Sequence, residues 1–108
     1  MFNESEISIE QQRKIELKFR EGEIALLTNF LSNLQTYKTA GDILNEIKLI
    51  SPETYINLPR HFGFMSNERL EAAFSEDGKV CEFKSSVAVH LKARIAFHRN
   101  LIDCIKGL

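Results

Sequence analysis

The sequence is short of most of the residues that advertise a specialised chemistry. It has no tryptophan, two cysteines, two prolines and five scattered glycines, and no apolar run approaches membrane-spanning length. Each shortage excludes something. Cys81 and Cys104 form neither a disulfide framework nor a zinc-type pair; each beside an apolar residue, Val80 and Ile105, they are expected to be buried free thiols. The glycines make no phosphate loop and no dinucleotide fingerprint. No serine or cysteine has the neighbouring base or cluster of positive charge that activates a nucleophile. The chain is therefore expected not to be an enzyme, and no cofactor and no metal are expected. Charge of one sign is missing too, since the formal net charge is −1, which excludes a protein that coats nucleic acid by bulk charge. The opening "MFNESEISIE" lacks the positive start and apolar core of a signal peptide. With the cysteine usage, this points to a cytoplasmic protein with no membrane contact.

What is present is ordinary and helical. At 108 residues, 44% hydrophobic and 27% charged, the chain has the composition of one globular domain, 1–108, with the first seven residues expected to be flexible. From about Ser8 to Tyr37 apolar residues recur at three- and four-residue spacing, with Ser8 as N-cap. Ile15, Phe19, Leu26, Phe30 and Leu34 form one broad stripe, while Lys14, Glu16, Lys18 and Arg20 fall on the outer side. Gly22 interrupts the stripe and invites a bend or a close helix crossing. A shorter helix fits 40–49. "SPET" restarts the chain with Ser51 as cap and Pro52 at the first helical position. Pro59 is expected to end that third helix near Leu58 or to begin a new one, and Ser66 caps a further helix.

The final segment supports two expectations. Ser85 or Ser86 can cap a long helix over about 86–106, with Val87, Leu91, Ile95, His98 and Ile102 on one stripe and Val89, Phe97, Leu101 and Cys104 on another. Alternatively, Asp77-Gly78 and the alternation in "KVCEFK" and "SVAVHL" make a short β-hairpin around 70–90. The fold class expected is mainly α, with two long helices (about 8–37 and 86–106) packed with two or three short ones.

Charge is distributed unevenly. Residues 1–83 carry nine Lys/Arg against fourteen Asp/Glu, whereas residues 84–108 carry five against one. His90, Lys92, Arg94 and Arg99 are the candidates for contact with an anion or nucleic acid. His90 and His98 stand two helical turns apart, about 12 Å, too far to share a metal ion without further ligands.

One motif carries a resemblance. Gly63-Phe64-x-Ser66, followed by Leu70 and Phe74, resembles the second helix-turn-helix of arabinose-regulator-type transcription factors. The resemblance implies a DNA-reading helix at the end of 58–74. It covers barely a dozen residues, Pro59 stands where that family has a small residue, and the family's tail after the second aromatic is missing. Glu68 and Glu71 would face the phosphates. DNA-binding regulation, by this stretch or the basic C-terminal helix, is thus the alternative. The leading expectation is protein–protein contact through helix faces, with a homodimer as the form, because both long helices carry more apolar face than the short ones can cover; the other outcome is that the two long helices bury each other in a monomer. Phe19, Leu26, Phe30, Leu34, Val89, Phe97 and Leu101 are the candidate contact residues.

Overall fold

A computed structural model describes residues 8–63, 65–76 and 78–107. Phe64 and Asp77, which belong to the helix-turn-helix and hairpin motifs, and the segment 1–7 expected to be flexible lie outside the described residues. Among the described residues five helices follow one another: α1 (Ile9–Asn33), extended by a 3-10 turn (Leu34–Thr36), α2 (Ala40–Ile50), α3 (Pro52–His61), α4 (Asn67–Ala73) and α5 (Lys79–Lys106). The domain is mainly α, and no strand occurs among the described residues. No helix among them is long and apolar enough to cross a membrane.

Local chemistry sets most of the helix starts. Ser8 accepts from the Gln11 N–H at 3.1 Å, and Gln11 Oε1 accepts from the Ser8 N–H at 3.2 Å, a reciprocal cap on α1. Thr39 caps α2 at the Asp42 N–H. Ser51 caps α3 with Pro52 in the first turn, and Ser66 caps α4 at the Arg69 N–H. Each such cap contributes on the order of 1 kcal/mol.

Two starts and stops differ from the sequence expectation. α3 runs through Pro59 to His61. Proline cannot donate to the carbonyl four residues back, which is that of Tyr55. The Asn67 side-chain amide donates to this carbonyl instead, at 3.2 Å, so the orphaned acceptor is satisfied from α4. α5 starts at Lys79, not at 86, from Gly78 in the left-handed region at φ +89°. Ser85 and Ser86 are interior to it, and the hairpin around 70–90 is replaced by α4 and the start of α5. The reason is the aromatic cluster: Phe83 lies 5.6 Å from Phe62 and 5.0 Å from Phe74, ring to ring. Phe83, Lys84, Val87, His90 and Leu91, all buried, share a face only at helical spacing.

The long helices are antiparallel. Lys84 Nζ donates to the Gln35 carbonyl at 3.0 Å, and Arg20 meets His98 at 3.1 Å, so the chain numbers of the two helices run in opposite senses. α2, α3 and α4 pack at one end of this pair and build a head whose core runs from Leu27 to Ile95 through Ile43, Ile47, Leu58 and Leu70. Beyond the head, the N-terminal half of α1 and the C-terminal half of α5 continue as a two-helix stalk. Ile102 is the only buried hydrophobic residue outside the core cluster among the described residues. The extents are 61 × 26 × 23 Å. α1 passes through Gly22 as continuous helix.

Candidate functional site

The stalk has a dressed side and a bare side. On α1 the positions turned toward α5 are Glu16, Arg20, Glu23 and Leu27, with Glu23 and Leu27 buried and the other two partly so. The residues one earlier, Ile15, Phe19, Gly22 and Leu26, are turned about 100° to one side. Ile15 is 62% exposed, Phe19 46% and Leu26 46%. On α5 the inward positions are Arg94, His98, Ile102 and Ile105, and the residues one earlier are Ala93, Phe97, Leu101 and Cys104. Reversing a helix inverts its winding sense seen from one end, and an antiparallel partner also faces the opposite way. The two offsets therefore fall on the same side of the pair. The Arg20 guanidinium lies 5.1 Å from the Phe19 ring centre and 5.8 Å from that of Phe97, which joins the two stripes across the seam. Arg94 packs on the same Phe97 ring at 4.7 Å.

The candidate contact residues divide accordingly. Phe19, Leu26 and Phe97 are exposed on this face, Leu101 is half-buried within it, and Val89 is exposed nearer the head at its edge. Phe30 and Leu34 do not belong to it: at 3% and 2% exposure they are part of the chain's own core, because they continue the inward series of Glu23 and Leu27. Ile15 belongs to the face, and its spacing from Phe19 and Leu26 was a usable signal.

Behind the face lies a polar layer. His98 is 1% exposed, and its Nδ1 is 3.1 Å from Arg20 Nη1. A guanidinium only donates, so Nδ1 accepts and the ring proton sits on Nε2. Burial, then the charges of Arg94 and Arg20, push the His98 pKa down, against the opposing pull of Glu23 and Glu53. Arg20, bonded to the buried His98 and paired with Glu16 at 2.9 Å, is an inward residue, and Glu16 is half-buried beside it, against the expectation that both face outward.

The anion candidates do not form one surface. His90 is buried, with its pKa pushed down to about 4 by burial and by His61, whose ring is 5.2 Å away. Arg94 is paired with Glu53. Lys92 and Arg99 are exposed, seven residues apart, and lie away from the apolar stripe. Among the described residues no group of three or more His, Cys, Asp or Glu is placed to hold a metal ion. Cys81 and Cys104 are exposed, not buried as their apolar neighbours implied.

The stretch from His61 to Phe74 is a bend between packing helices. Gly63 makes the turn at φ +70°, and Leu58 and Leu70 are fully buried beneath it. α4 turns Glu68, Arg69 and Glu71 outward, and its seven residues make barely two turns.

No protein-family model, curated protein or solved structure matches this chain.

Proposed function

We propose that this chain is a small non-enzymatic interaction protein, of the adaptor, chaperone, antitoxin or inhibitor kind. It works as a homodimer joined through the bare face of its stalk and, in that form, regulates or shields a protein partner. The observation that carries the reading is the double apolar stripe, with Phe19, Leu26 and Phe97 each more than 40% exposed side by side. Scattered exposed apolar residues are normal, whereas a contiguous two-helix stripe of them marks an interface. Completing the burial of these side chains would contribute about 1 kcal/mol each. A cytoplasmic setting suits the exposed, unpaired thiols of Cys81 and Cys104, which a reducing compartment preserves.

The test is mixed-copy capture. A tagged copy should retain an untagged copy, and Phe19→Asp with Phe97→Asp should abolish that retention. Identical retention by wild type and the double variant would refute the reading.

A further inference from the structure

The bare face carries a self-complementary pattern, and we infer that a second copy docks on it with its stalk antiparallel, about a two-fold axis crossing α1 between Phe19 and Gly22. The inference rests on the reading of the face as an interface and names its occupant and its register.

Shape comes first. Nothing lies within 4 Å of where a Cβ at Gly22 would be, so a notch stands open three residues from the protruding Phe19. A two-fold axis midway between them seats each Phe19 in the notch of the other copy. The same axis sets Ile15 opposite Leu26 of the second copy, and Leu26 opposite its Ile15. Because Arg20 stands level with His98, this axis crosses α5 near Phe97. There it pairs Phe97 with its own symmetry mate, and the small Ala93 with the larger Leu101. One operator thus matches small against large on both helices, as an isologous interface requires.

Area is consistent with this occupant. A face two helices wide, each about 10 Å across, and some 25 Å long offers roughly 500 Å² per copy, about 1,000 Å² in total, which is the area a specific interface needs to reach. Charge selects the orientation. α2 to α4 and their links, residues 40–76, hold six carboxylates against three Lys/Arg, while the stretch of α5 beyond the head, residues 96–106, holds Arg99 and Lys106 against Asp103 alone. An axis parallel to the helices would set the two acidic heads side by side. The perpendicular axis sends them to opposite ends and brings the basic end of each α5 alongside the acidic head of the other copy.

The experiment uses the full chain with Cys81→Ser and Cys104→Ser, spin-labelled at Gln12→Cys or at Asn33→Cys, both exposed positions in or beside α1. The proposed register puts the Gln12 backbone positions about 27 Å apart and the Asn33 positions about 39 Å apart. Two equal distances near 20 Å would overturn the register and leave the self-association reading standing. A monomer with no measurable distance overturns both. As a second variant, Gly22→Leu fills the notch, where a Cβ meets nothing within 4 Å, so the helical signal should persist while the dimer dissociation constant rises at least about tenfold. An unchanged constant would contradict the seating of Phe19.

Discussion

Arg20 and His98, separated by 78 positions in the chain, meet at 3.1 Å in the seam of the stalk and fix which residues of the two long helices stand level. The contact also fixes a protonation state. A buried imidazole that accepts from a guanidinium is neutral, and removing the guanidinium leaves a buried acceptor without a partner. Arg20→Ala should therefore destabilise the fold by about 2 kcal/mol. Replacing both residues by leucine should recover much of that loss, since a matched apolar pair needs no partner. Urea unfolding of Arg20→Leu, His98→Leu and the double variant, beside Arg20→Ala, checks this. Strict additivity would show that the pair does not interact.

His90 and His98 both have folded pKa values pushed below the ordinary histidine value, His90 to about 4. The unfolded chain then binds protons that the folded chain refuses. Stability is full above about pH 6.5 and falls as the pH drops from there toward 4. For His90 the loss amounts to at most ~2–3 kcal/mol over that interval, and less where water reaches the ring. Melting at pH 7.5 and pH 5 should show a lower midpoint at pH 5, and His90→Gln should reduce the difference. A midpoint that rises on acidification would contradict it.

Phe83 is fully buried between Phe62 and Phe74, where the start of α5 meets the head. Phe83→Ala should cost about 3–5 kcal/mol and lower the melting midpoint by well over 10 °C. A shift of a degree or two would mean that the cluster does not hold α5 in place.

The outward glutamates of α4, the burial of His90 and the pairing of Arg94 with Glu53 leave no continuous basic surface on the candidate residues. The protein is expected to pass through an immobilised generic duplex at low salt. Retention that disappears as salt is added would instead reveal phosphate contacts.

The parts of the fold legible in the sequence were those decided locally. Ser8, Ser51 and Ser66 cap helices because a side-chain oxygen reaches an N–H three residues on, which needs nothing distant. The start of α5 was hidden because Phe83 is drawn into helix by two phenylalanines from other elements, and the continuation past Pro59 because its compensating donor, Asn67, sits in another helix. The face was half legible. Phe19 and Leu26 share a broad stripe with Phe30 and Leu34, and only the position of α5 splits that stripe into an inner and an outer row. Apolar neighbours also misplaced Cys81 and Cys104, since adjacent residues on a helix point about 100° apart and say little about each other's burial.

The central claim, that the bare face joins two copies, is tested most directly by sedimentation equilibrium at micromolar concentration. The wild-type chain of 12.4 kDa should sediment at about twice that mass, while Phe19→Asp with Phe97→Asp sediments as a helical monomer. A wild-type mass of one chain across that range, or a double variant that remains dimeric, would contradict it.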